Sequence, residues 1–400
     1  MRLHMLVAAA TLLVPTTVLG ATAPAAGLQA LGRALLGESQ GVYVQSSDGT
    51  VLAAQNASRP VHPASVTKIA TTLALLEALG PDHRFQTRFL ATGVTEDGVL
   101  HGDLVVEGGG DPCFVSEHVL ALLRHLRGQG IHRIAGTLRV KGSFLFNWKP
   151  DPYGQRLRAV FTGTSWEDPW SGPDGGPIPA ELSALAMRIE DRPPEGPSAT
   201  TAHRLLATHR SPPLLAIVKA LNGYSNNVFH PLSEAVGGPQ AVEAAIRDRL
   251  PPILRDEVHI DNAAGGGTTN RLSPRAAVAI LAALESTLAS RGLDLTAVLP
   301  VSGVDPGTLR DRFNGPTERG LVVGKTGTFG QVGACALVGA LRTRRYGHVR
   351  FAILNAGVPV PEARRRQDAF VRALVADAGG ADPWPWNPPA LTLVGGGQLE

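Results

Sequence analysis

Leu321-Val-Val-Gly-Lys-Thr326, Ala334-Cys-Ala-Leu-Val-Gly-Ala-Leu341 and His348-Val-Arg-Phe-Ala-Ile-Leu-Asn355 follow one another in quick succession late in the chain. Each is a short, mostly apolar run bounded by polar or glycine-containing residues, and each reads as a strand. The connections are too short for a parallel crossover, which needs a dozen residues or more, so the three must pair antiparallel. A last helix is expected from Glu362 to Ala378. Far upstream, Gly41 to Gln55 reads as a hairpin: Val42, Tyr43 and Val44, the turn Asp48-Gly49, then Val51-Leu52. The first and last pieces of the chain can therefore share one sheet.

Between them lies helical sequence. Pro63-Ala64-Ser65 opens a helix whose Val66, Ile69, Leu73 and Leu76 keep helical spacing, and Gly80-Pro81 ends it. Further helices are expected over Pro212 to Leu221, Val228 to Val236 and Gln240 to Arg249. Ser273 has the character of an N-cap with Pro274 at the first helical position, opening a helix to about Ser290. From Phe85 the texture changes to short strands (Leu104 to Glu107, Ile131 to Val140) around one amphipathic helix with Val115, Val119, Leu122 and Leu126. Asn147 to Pro197 is rich in proline and glycine, has little periodicity, and reads as loops of an inserted domain.

The 400 residues are 44 % hydrophobic, enough for a sizeable core, and include 46 glycines and 31 prolines. This composition excludes a disordered tail protein, a collagen, a coiled coil and a mini-protein. A net charge of +3 gives no argument for nucleic acid. Residues 1–26 read as a secretory signal, with Arg2 and His4, the apolar run Met5 to Leu19, and small residues from Gly20 to Ala26. No later segment is apolar enough to span a membrane, so the expected location is outside the inner membrane, periplasmic or associated with the cell wall. Cys113 and Cys335 are far apart and are expected to be two buried thiols. Gly108 to Pro112 lacks the lysine of a phosphate loop and reads as a tight turn. The histidines show no metal-binding spacing; His118, His125 and His132 are expected at the surface, and Arg364-Arg365-Arg366 on a solvated face. No metal and no cofactor is expected.

Only five of the 37 basic residues are lysine. Two of them sit in chemically suggestive company. Ser65 and Lys68 are three residues apart at a helix start, so they share a face. A lysine amine can activate a serine if desolvation or a nearby positive charge lowers its pKa. The helix N-terminus offers N–H groups to a developing oxyanion. Ser225-Asn226-Asn227 lies in a turn after Gly223, where a serine can pass a proton and an asparagine can hold a peptide group. Lys325-Thr326-Gly327-Thr328 lies on a strand, where glycine leaves room for a substrate chain and lysine and threonine can bind a carboxylate. The three patterns occur together by chance roughly 0.004 times in a chain of this composition.

This triple is the signature of active-site serine penicillin-recognising enzymes. Pro63-Ala-Ser-Val-Thr-Lys68, Leu79-Gly-Pro-Asp-His-Arg-Phe85, Gly108-Gly-Gly-Asp-Pro112, Ser211-Pro-Pro-Leu214, Leu299-Pro-Val-Ser-Gly-Val-Asp305 and Gly324-Lys-Thr-Gly-Thr328 resemble class C low-molecular-mass penicillin-binding proteins. These are the D-alanyl-D-alanine carboxypeptidases/endopeptidases of the penicillin-binding protein 4 type, and the resemblance runs from about residue 40 to about 375. It implies an α+β transpeptidase fold of the penicillin-binding protein/β-lactamase kind, an antiparallel sheet flanked by helices, with a small α/β domain inserted. It implies Ser65 as nucleophile, Lys68 as base, Ser225 as proton relay and Asn227 as holder of the substrate amide. Lys325, Thr326 and Thr328 would bind the terminal carboxylate, beside Gly327. The backbone N–H groups of Ser65 and Thr328 would form the oxyanion hole. The implied partners are peptidoglycan peptides and, as covalent inhibitors, β-lactams.

The expected organisation is a signal (1–26), a split peptidase domain (27–85 and 205–380), an insert (86–204) and a loose tail (381–400). The chain departs from the family pattern at three places. Asp261-Asn-Ala-Ala-Gly-Gly-Gly267 stands where a D-G-S-G-L-S type segment is usual, Phe229-His230 where Ala-Glu is usual, and Lys141 where an acidic residue is usual. With 157 positions from Lys68 to Ser225, the insert is shorter than the family's. Two alternatives remain at this point: a β-lactamase or esterase on the same fold, and a catalytically silent peptidoglycan-binding protein.

Overall fold

The three late strands form over Val323–Phe329, Ala334–Thr343 and Gly347–Ala356, paired antiparallel. The early hairpin, Gly41–Ser46 and Val51–Gln55, joins them: its first strand pairs with Gly347–Ala356, Val42 opposite Ile353 and Val44 opposite Phe351. The computed structural model describes residues 26–166, 179–191, 203–224, 227–386 and 397–400. Residues 1–25 of the signal reading and Ser225 lie outside them, as does most of the proline-rich stretch from 167 to 202.

Strand alternation gives this sheet two apolar faces. Val42, Val44, Leu337, Leu341, Phe351 and Ile353 pack against the Ala26–Leu36 and Val360–Asp377 helices through Leu28, Leu36, Phe370 and Leu374. Ala336, Val338, Ala340, Ala352 and Leu354 face the other way, toward Leu73 and Leu281 of the Thr67–Leu79 and Pro274–Ala289 helices. The alanines on that face let the Ser65-bearing segment approach the sheet closely. Ser273 caps its helix as expected, its Oγ accepting from the Ala276 N–H at 3.1 Å. The Ala26–Leu36 helix had no counterpart among the sequence expectations; Gln29 ties it to the hairpin by accepting from the Ala54 N–H at 2.8 Å.

A second core gathers Phe89, Leu104, Val106, Phe114, Leu122, Leu126, Phe146 and Phe161. Its main sheet has five strands in the order Gln398–Leu399, Arg204–Arg210, Gln86–Ala91, Leu104–Gly109, Leu138–Ser143. The residue-205 boundary therefore shifts: the strand it would divide pairs along its length with Gln86–Ala91, and the chain leaves this sheet at Ser211. Ser211 Oγ marks that exit by accepting from the Phe85 N–H at 2.9 Å, so the two crossings between the sheets are tied together.

The tail expectation is corrected where the tail is described. Ala381–Asp382 pairs with Ala334–Thr343, and Gln398–Leu399 pairs with Arg210 and His209. Trp386 Nε1 donates to Asp305 at 3.0 Å, and its ring lies 4.6 Å from Lys219 Nζ. These contacts pair tail residues with groups some 40 to 190 positions away, which local sequence does not reveal. His118 is also corrected. It is buried, 4.2 Å from the ring of His209, whose Nδ1 lies 2.6 Å from Asp111 Oδ2. The tight turn expected over Gly108–Pro112 begins later: Gly108 and Gly109 belong to the Leu104–Gly109 strand, and the chain turns from Gly110, where Asp111 Oδ1 accepts from the Cys113 N–H at 2.8 Å. Both cysteines are buried and free. Among the described residues, no helix is long and apolar enough to cross a membrane.

Candidate active site

Ser65 sits in a single 3-10 turn, Ala64–Val66, that leads into the Thr67–Leu79 helix. Ala64 has φ of +49°, a left-handed conformation that disfavours a Cβ by about 1–2 kcal/mol. The strain sits next to the residue with the chemistry. Ser65 is 6 % exposed and Lys68 is fully buried. Lys68 Nζ lies 2.9 Å from Ser65 Oγ and donates to the Ala264 carbonyl at 2.5 Å. The Phe229 ring covers the amine at 5.9 Å. Burial pulls the Lys68 pKa down to about 6, and the like charge of Lys325 adds to the effect. At neutral pH the amine is uncharged. One N–H is engaged by Ala264, and the lone pair is free for the Ser65 proton.

The Lys325-Thr326-Gly327-Thr328 motif lies on the Val323–Phe329 strand, at the edge of the central sheet. Gly327 is where this strand meets the nucleophile: a Cβ there would stand 2.5 Å from the Pro63 carbonyl and 3.2 Å from the Ser65 nitrogen. Lys325 is fully buried and donates to the Thr326 carbonyl at 2.9 Å; burial lowers its pKa to about 7. Thr326 Oγ1 donates to Thr308 Oγ1 at 2.6 Å. Arg364 donates to Thr328 Oγ1 at 3.1 Å. Arginine has no acceptor, so the Thr328 hydroxyl accepts here and keeps its own hydrogen for another anion or oxygen. Arg364 is thus at the site mouth; the solvated-face expectation missed this contact.

The divergent Asp261–Gly267 segment wraps the nucleophile turn. Asn262 Oδ1 accepts from the Ala264 and Gly266 N–H groups, both at 3.0 Å. Asn270 holds the loop to Thr67 at 3.1 Å, and Thr71 donates to the Ala263 carbonyl at 2.7 Å. At Gly265, φ is +79°, and a Cβ would fall 1.9 Å from the Ala64 carbonyl. The altered residues still present a carbonyl to the base.

Asn227 is exposed in the turn before the Phe229–Ser233 helix, and its carbonyl accepts from the His230 N–H at 3.0 Å. Phe229, two residues on, touches Lys68, so the turn lies beside the base. The 299–308 segment supports the residues ahead of the turn. The Thr308 N–H donates to the Gly223 carbonyl at 3.0 Å, and Asp305 accepts from Lys219 at 2.6 Å and from the Val301 N–H at 2.8 Å.

The model of the D-Ala-D-Ala carboxypeptidase 3 (S13) family matches residues 27–150 and 195–376. The chain belongs to this family. It is a class C, penicillin-binding protein 4 type serine D-Ala-D-Ala carboxypeptidase/endopeptidase, a hydrolase. It is 25 % identical to carboxypeptidase DacB of Mycolicibacterium smegmatis over 88 % of this chain and 83 % of that protein. It has the fold of the penicillin G-acylated predatory endopeptidase Bd3459 of Bdellovibrio bacteriovorus (TM-score 0.67, 20 % identity, covering 87 % of this chain and 95 % of that one). It also has the fold of penicillin binding protein 4 of Haemophilus influenzae in complex with a β-lactam (TM-score 0.65, 21 % identity, covering 88 % and 99 %).

Ser65, Lys68, Lys325, Thr326, Gly327 and Thr328 are thus gathered around one point of the enzyme. The Ala264 carbonyl, Thr308 and Arg364 join them without having been expected. Backbone carbonyls carry no sequence signal, and the arginine run has the composition of an ordinary helix surface.

Proposed function

We propose that this enzyme cleaves the D-Ala–D-X bond of peptidoglycan stem peptides through an acyl-enzyme on Ser65. The observation carrying this reading is the buried Lys68 amine, depressed to about 6 and 2.9 Å from Ser65 Oγ. Ser65 Oγ attacks the carbonyl carbon and its proton passes to Lys68. The carbonyl oxygen becomes an oxyanion facing the N–H groups of Ser65 and Thr328. The C–N bond then breaks, and the amine leaves with a proton relayed through Ser225 from Lys68. Water adds to the ester, its proton returns by the same base, and Ser65 is freed with release of the new C-terminal carboxylate.

The edge of the Val323–Phe329 strand is covered by Pro300 and Val301 at Val323 and Gly324, and beyond them it supports seating an extended peptide as a further strand. Lys325, Thr326 and the Arg364-oriented Thr328 supply positive charge and donors to the carboxylate on the leaving residue, and Asn227 holds the acyl-side amide. We take the second core as the inserted domain and place the enzyme's work outside the inner membrane, with β-lactams as covalent inhibitors. Fluorescent penicillin should label the wild type and leave Ser65→Ala unlabelled; labelling that survives the substitution removes Ser65 as nucleophile. Cross-linked muropeptides should be converted to products lacking D-alanine, cleaved at the cross-link, or both. Rapid turnover of penicillin without a lasting adduct would instead favour a β-lactamase.

A further inference from the structure

His62 lies next to the catalytic segments, and none of the chemistry above uses it. It is 8 % exposed and makes three contacts, each to a different wall of the site. Its Nδ1 accepts from the Ala64 N–H at 3.2 Å. Its Nε2 lies 3.0 Å from the carbonyl of Gly267, at the end of the loop that wraps Ser65. Its ring stacks on Phe329, the last residue of the Val323–Phe329 strand, with centroids 5.1 Å apart and planes at 22°.

These partners specify one protonation state. A backbone N–H can only donate, so Nδ1 must carry a lone pair. A carbonyl can only accept, so the hydrogen is on Nε2. The imidazole is neutral and fixed in this tautomer. Burial opposes its charging, the Gly267 carbonyl favours it and the positive charge of Arg271 opposes it, and the balance lies below the usual imidazole value. From the other two walls it meets only an aromatic ring and a carbonyl. A second proton would go on Nδ1, directly facing the Ala64 N–H, and that contact would have to break.

Ala64 is the strained residue, and its N–H is held by this imidazole. Its own carbonyl accepts from Thr67 Oγ1 at 2.9 Å, which secures the other side of the turn. We propose that His62 is a positioning residue for acylation: its neutral ring holds the left-handed Ala64 turn, and so the Ser65 Oγ and N–H, in register with the Val323–Phe329 strand. When the ring is protonated the turn loosens and acylation slows. This rests on the reading of Ser65 as nucleophile, and its test separates the two.

The test is the second-order rate of acylation by fluorescent penicillin between pH 4.5 and 8.5, for wild type, His62→Leu and His62→Asn. Asparagine can offer an acceptor near the Nδ1 position and does not titrate. His62→Leu should lose about tenfold to a hundredfold at all pH values, the scale of a slight misplacement of reacting groups. His62→Asn should recover most of that loss. On the acid side, log rate against pH should approach a slope of two for the wild type, one proton on Lys68 and one on His62, and fall to one for His62→Asn. A wild-type rate in His62→Leu, or a two-proton limb kept in His62→Asn, overturns the proposal. The wild type alone also tests it: a one-proton limb over a pH range in which the His62 ring signal in nuclear magnetic resonance shows the ring becoming protonated overturns it without any variant. Failure of the wild type to label at all would count against the nucleophile, not against His62.

Discussion

At the scale of single residues, the site is built on two buried lysines whose pKa values burial lowers, Lys68 to about 6 and Lys325 to about 7. The Lys68 pKa near 6 predicts that acylation falls as pH drops below about 6 and levels off above it. Lys68→Arg should remove activity, because a guanidinium keeps its proton; a loss of about a hundredfold or more in the penicillin acylation rate is expected. The same lysines set a pH dependence of stability. In the unfolded chain each binds a proton up to its ordinary pKa of 10.5, whereas in the folded protein each releases it near 6 or 7. Between those limits the unfolded state holds more protons, so stability rises with pH across about pH 7 to 10. Lys325→Met removes one such group at similar size. It should raise Tm at pH 7 by a few degrees while abolishing acylation, read by thermal denaturation beside penicillin labelling. A fall in Tm would mean that the Lys325 hydrogen bond to Thr326 outweighs the cost of its burial.

At the scale of elements, the site is a meeting of a turn, a loop and an edge strand. The turn and strand touch where Gly327 has no side chain. Gly327→Ala should fold with native-like circular dichroism and lose acylation by about a hundredfold, because its Cβ would drive the strand from the Pro63 carbonyl. Arg364 comes from a third element, the Val360–Asp377 helix. Arg364→Ala should raise KM for peptides ending in a free carboxylate severalfold and change KM little for the same peptides ending in an amide; equal KM changes for both would remove its role at Thr328. The helices and strands that carry Ser65 and Lys325 were legible because their periodicity is local. The Asp261–Gly267 loop was legible only as glycine-rich. Its offer of a carbonyl to Lys68 depends on where the chain passes Ala64, some 200 positions earlier in sequence.

For the whole molecule, the chain crosses from one core to the other and back, and its described tail returns to both. Removing residues 383–400 takes away the Trp386–Asp305 bond, the Trp384–Gly320 backbone bond and the Gln398–Leu399 strand. This truncation should lower Tm by several degrees while leaving Ser65 able to accept penicillin. An unchanged Tm would show that the tail adds nothing to the fold's stability. The sequence by itself determined the antiparallel unit near the end of the chain, the hairpin that completes it, the helix that bears Lys68 and follows Ser65, and the strand bearing Lys325. Turn residues, short connections and side-chain spacing are properties of neighbouring residues, and they act before any distant segment is in place. Only the tertiary structure decided that Lys68 and Lys325 are dry enough for their pKa values to fall to about 6 and about 7. It alone brought the Ala264 carbonyl to the base, Arg364 to Thr328, and His62 against Ala64, Gly267 and Phe329. Desolvation and close approach are made by segments remote in sequence packing against one another, so no local pattern encodes them.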